Sequence, residues 1–146
     1  MIEDRSEGRR RMADERREAP RAAGKRAFAA IFLVAGIGHF AATDFFMKVM
    51  PPEIPYHREL VLISGAIEVT LGAMLLIPRT TRLAGWGLIA LLIAVFPANI
   101  YVYRHPELFP LPQFVHLLRL PLQGVLIYWA YRFTRRDPRA TAEAVR

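Results

Sequence analysis

The chain is apolar in four long runs, over residues 27–42, 60–77, 83–102 and 114–133. Each run approaches the roughly 20 residues that a helix needs to cross about 30 Å of hydrocarbon. None alternates with the period of two expected of a barrel strand. In lipid only helices and closed barrels satisfy every backbone group internally. The pattern therefore predicts an all-α membrane protein, a four-transmembrane-helix bundle.

The polar ends and turns set its orientation. Residues 1–26 hold nine Lys/Arg and six Asp/Glu among scattered apolar positions. Such a segment buries too little surface to offset its ordering entropy, so it is expected to be disordered or loosely helical. It is also too long and too acidic for the leading region of a signal peptide, and cleavage is not expected. The turn after the second run carries Arg79 and Arg82, and the tail carries Arg132, Arg135, Arg136 and Arg139. The other two loops mix Lys48, Arg58 and Arg104 with Asp44, Glu53 and Glu107. The positive-inside rule then puts both termini in the cytoplasm of a multi-pass protein of the inner membrane. Trp86, Trp129 and Tyr131 fall at the inner interface; Phe45, Phe46, Tyr56, Tyr101 and Tyr103 fall at the outer one. The organisation expected is a charged cytoplasmic head (1–26), a four-helix transmembrane domain (27–133) and a cytoplasmic tail (134–146).

Composition narrows the function classes. Of 146 residues 53% are hydrophobic, and there is no cysteine, which removes disulfide scaffolds, thiolate metal sites and thiol–disulfide chemistry. No metal site is expected. The net charge of +7 sits mostly at the ends, which suits membrane topology and not nucleic acid. The first partner expected is therefore the bilayer itself.

Polar groups inside spans are costly and mark functional sites by default. The first run holds His39 near its outer end, the second Glu68, the third Asn99, and the fourth His116, Arg119 and Gln123. Gly65, Glu68 and Gly72 are three and four residues apart and share a helix face. Small residues on that face let a neighbour approach, so it points inward. His116, Arg119 and Gln123 share a face by the same spacing, and Leu92, Phe96, Asn99 and Tyr103 form a stripe. Depths counted at 3.6 residues per turn bring His39, Glu68, Asn99, Arg119 and Gln123 together in the outer half of the bundle. Ser64 and His116 are additional candidates. Pro97 is expected to free the carbonyl of Ile93 for the polar interior, and a structural Glu68–Arg119 ion pair is one alternative to a functional cavity. The blander alternatives are interhelical hydrogen bonds and a packed histidine; His57 and His105 read as solvated loop residues.

The strings "GIGHF", "DFFMKVMPP", "LISGAIEVTLGAMLLIPRTTRLAGWGLIALLIAVFPANIYVY" and "RLPLQGVLIYWA" together resemble the DoxX-like family of small four-helix membrane proteins. The resemblance runs from about residue 25 to 132. It rests on a histidine closing the first helix, then SGxxE, PxNIY and RxPxQ elements in order. It implies a membrane partner of oxidoreductases with a quinone as the candidate cofactor, and the charged head departs from the family pattern. Two other readings remain open: a small-molecule binding or proton-coupled transport module, and a purely structural anchor. Whether a reaction is catalysed, and whether the chain forms a homo-oligomer, is likewise open.

Overall fold

The computed structural model describes the backbone of residues 2–109 and 112–135 and the side chains of 22–109 and 112–135. Every regular element among them is helical. Helix α1 spans Ile2–Ala41, so the charged head and the first apolar run are one helix. A short helix α2 (Thr43–Met47) follows, and a proline-containing loop leads to α3 (His57–Leu76). Helices α4 (Thr81–Ala94) and α5 (Phe96–Arg104) are nearly continuous; a 3-10 turn (Pro106–Leu108) precedes α6 (Gln113–Thr134). The tail from 136 onward lies outside the described residues.

Three stretches are long and apolar enough to cross a membrane: Ala22–Ala41, His57–Leu76 and Thr81–Arg104, the last combining α4 and α5. The fourth run forms α6, equally long but interrupted by His116, Arg119 and Gln123.

Successive long helices pack as neighbours, α1 on α3, α3 on α4 and α4 on α6. Glycines set the first contact. A Cβ on Gly36 would meet the Gly65 carbonyl oxygen at 2.7 Å, and one on Gly65 would meet the His39 Cβ at 2.6 Å. Only hydrogen at both positions allows this approach, the small-residue packing by which helices associate in lipid. Gly85 plays a similar part between α4 and α6, facing Thr134 and the Ala130 carbonyl. Phe28 closes the ring of helices, its ring 5.0 Å from Trp129 and 5.5 Å from Phe133. Trp129, expected as an interfacial belt residue, thus packs on the core.

Polar and apolar interiors are segregated along the bundle. Phe28, Ala29, Phe32, Leu75, Ala84, Leu88, Leu92 and Ala130 form one apolar core around the start of the α1 span and the ends of α3 and α6. The buried polar groups His116, Glu68 and Gln123 lie toward the opposite end, with Thr134 the exception.

The third span breaks at Val95. Pro97 has no N–H and its ring crowds the carbonyl four residues earlier, so it is tolerated near a helix start, where α5 places it. The break turns Phe96 outward, and Val102 takes an interior place. The expected stripe of Leu92, Phe96, Asn99 and Tyr103 therefore loses Phe96.

Candidate functional site

The five residues expected to converge form two separate groups. Among the described residues no hydrogen bond or ion pair joins them.

The first group lies between α1 and α3. Glu68 is buried on the α3 face that also carries Gly65 and Gly72. His39 Nδ1 is 3.7 Å from Glu68 Oε2, both side chains nearly enclosed. The same nitrogen is 2.9 Å from the Ala35 carbonyl oxygen, which only accepts; His39 therefore carries hydrogen on Nδ1 and donates it there. Phe46 of α2 stacks on the imidazole at 3.9 Å between centroids. Sequence reading placed Phe46 at the interface because its α2 position depends on the chain reversing at Ala42. Oε2 of Glu68 is fully enclosed and accepts no hydrogen bond. Ser64, one turn above, donates to the Val61 carbonyl of its own helix and is withdrawn from the group.

Arg119 is not the partner of Glu68. It lies on α6, which packs on α4 and α5, whereas Glu68 faces α1. The alternative of a structural Glu68–Arg119 pair fails because the helix order around the bundle separates them.

The second group joins α4, α5 and α6. Asn99 Nδ2 donates to Gln123 Oε1 at 2.8 Å, and Gln123 Nε2 donates to the Leu92 carbonyl. A carbonyl accepts only, which fixes the Gln123 amide with its NH2 toward Leu92 and its oxygen toward Asn99. The break at Val95 explains why Leu92 is available: Val95 bonds back to Leu91, and Ala98 and Asn99 bond to Val95. The interior thus satisfies Leu92, one residue before the Ile93 carbonyl expected from Pro97. Beside this bridge Leu92, Asn99, Arg119, Leu122, Gln123 and Leu126 line a cleft of about 160 Å³. Leu122 is exposed at its rim, and Arg119 is half-buried with no ion pair among the described residues.

His116 stands apart. It is fully buried, tilted against Phe109 at 5.7 Å, and neither ring nitrogen has a hydrogen-bond partner among the described residues. Of the two histidines read as loop residues, His57 opens α3 and its Nε2 donates to the Pro51 carbonyl at 3.0 Å, while His105, at a solvent-exposed contact, has Nδ1 3.1 Å from Glu107 Oε1.

Fold and polar interior together define a small helical protein with three membrane-length helices and buried polar groups on facing helices. Residues 28–134 match the family described as a domain of unknown function (DUF8561), and the chain belongs to that family. Neither a curated protein nor a solved structure matches it.

Proposed function

We propose that this is a four-span protein of the cytoplasmic membrane, both termini inside, that binds the carbonyl headgroup of a quinone-like lipid as the membrane partner of an oxidoreductase. Helix α6, with 22 residues and about 33 Å long at 1.5 Å per residue, supplies the fourth span. The resemblance to DoxX-like proteins supports the redox association. The cleft beside the Asn99–Gln123 bridge carries the reading. Leu92, Leu122 and Leu126 line it, and its polar groups are a guanidinium with no ion pair among the described residues and two side-chain amides bonded to each other. A cation near lipid favours a partner with electron-rich oxygens. Drug-sized ligands fill roughly 300–1,000 Å³, so a cleft of about 160 Å³ suits a headgroup whose tail stays in lipid. The partner oxidoreductase supplies the electrons.

Arg119, with no ion pair among the described residues, also favours a second reading, a carrier or binder of a weakly acidic lipophilic molecule. Mass spectrometry of molecules extracted from protein purified in mild detergent separates the two. A quinone retained by wild type and lost from Arg119→Gln supports the first. An organic acid with the same dependence supports the second, and no specific ligand in either sample refutes both in favour of a structural anchor.

A further inference from the structure

The cleft leaves His39 and Glu68 without a role, although Glu68 is a buried carboxyl group. It is 8% exposed, and its Oε2 is enclosed with no donor within hydrogen-bonding distance among the described residues. A carboxylate oxygen in an apolar wall is stable only with a proton or a counter-charge. The neighbours offer one candidate. Helix α1 presents His39; α2 presents Phe46, and its sole titratable residue, Asp44, forms no ion pair among the described residues; α4 has no titratable side chain between Leu83 and Ala94.

We infer that His39 and Glu68 form a proton-binding site in the outer half of the bundle, with Glu68 holding the proton and His39 delivering it. The imidazole geometry suits delivery. Nδ1 already carries hydrogen and faces both the Ala35 carbonyl and Oε2, at 2.9 and 3.7 Å. A proton arriving at Nε2 makes an imidazolium. The Nδ1–H bond then breaks as an O–H bond forms at Oε2, after a side-chain movement that closes the gap. Glu68 is left neutral and His39 neutral with hydrogen on Nε2; charge and protons balance without a cofactor. Phe46, stacked on the ring, holds the imidazole against rotation. The site lies on α1 and α3, away from the α5–α6 cleft, and does not depend on that cleft's ligand.

The test is modification by dicyclohexylcarbodiimide, a lipid-soluble reagent that adds to protonated carboxyl groups. The full-length protein in detergent is labelled over a series of pH values, and the site is located by peptide mass spectrometry. Glu68 should be labelled, at a rate falling about tenfold per pH unit above its midpoint. Glu68→Gln should be inert, and His39→Gln should move the midpoint or slow the reaction. Absence of label on Glu68 at every pH overturns the site. A rate flat with pH in wild type, or a profile unchanged in His39→Gln, overturns the delivery role. Should His39→Gln not fold, infrared spectroscopy of wild type decides: a protonated-carboxyl C=O band that shifts in D2O and fades as pH rises is expected, and its absence refutes the proposal.

Discussion

Gln123 reaches from α6 to the backbone carbonyl of Leu92 on α4, at the one place where the third span is broken. Its amide donates to the carbonyl that a continuous helix would bond through the Phe96 N–H, and its oxygen simultaneously holds Asn99. One side chain therefore fastens both halves of a kinked span to its neighbour.

Replacing Gln123 by Leu strands the Leu92 carbonyl and the Asn99 amide. Hydrogen bonds in membranes average about 0.6 kcal/mol, while a buried group left unpaired costs about 1–3 kcal/mol. The loss expected in reversible unfolding from mixed micelles therefore lies between about 1 kcal/mol, two such hydrogen bonds, and about 6 kcal/mol, two groups left fully unpaired. Asn99→Leu combined with Gln123→Leu should recover part of it, because one stranded donor is then removed.

The α1–α3 contact makes a contrast between two glycines. A methyl on Gly65 would collide with the His39 Cβ at 2.6 Å and the Gly36 carbonyl at 2.9 Å, forcing the helices apart. Gly65→Ala should destabilise by about 1–3 kcal/mol, as overpacking does. Gly124 has nothing within 4 Å of an added Cβ. Gly124→Ala should stabilise α6 by about 0.5–1 kcal/mol through reduced backbone freedom in the unfolded chain. Thermal unfolding of both variants in one detergent gives the comparison.

Partnership of Glu68 is tested by double-mutant cycles. Changes at Glu68 and Arg119 should add within about 0.3–0.5 kcal/mol, because the two sit in separate groups. Changes at His39 and Glu68 should couple by about 0.5–3 kcal/mol. Coupling between Glu68 and Arg119 of that size would restore the structural ion pair between them.

The chain has no cysteine, so single cysteines report topology cleanly. Arg79→Cys in the turn before α4 should react with a membrane-impermeant maleimide only from the cytoplasmic face. Glu107→Cys should react only from outside. Labelling of both from one side would eliminate a membrane crossing by α4 and α5.

Acidification should affect the loop between α5 and α6 at Glu107. A backbone hydrogen bond and the His105 ring hold its carboxyl below the ordinary carboxylate value. A lowered value means the contact favours the folded loop above the ordinary range, and this contribution is lost as pH falls through the lowered folded value. Because Glu107 is fully exposed, the effect should be local. The expected readout is loss of structure at Pro106–Leu108 in NMR shifts below the ordinary carboxylate range, without bundle unfolding.

Helices, their apolar lengths and the inward face of α3 were legible in the sequence because each depends on neighbours within one or two turns. Gly65, Glu68 and Gly72 are buried as their spacing requires, and so are His116 and Gln123. Phe96 escaped its expected stripe because Pro97 resets the helical phase at Val95, and spacing counts assume one phase throughout. The partners of each polar group were decided by tertiary structure alone. Residue counting gives depth along a helix but not the order of helices around the bundle. That order puts Glu68 beside His39 and Arg119 beside Asn99, because glycine-sized contacts between specific faces fix which helices touch.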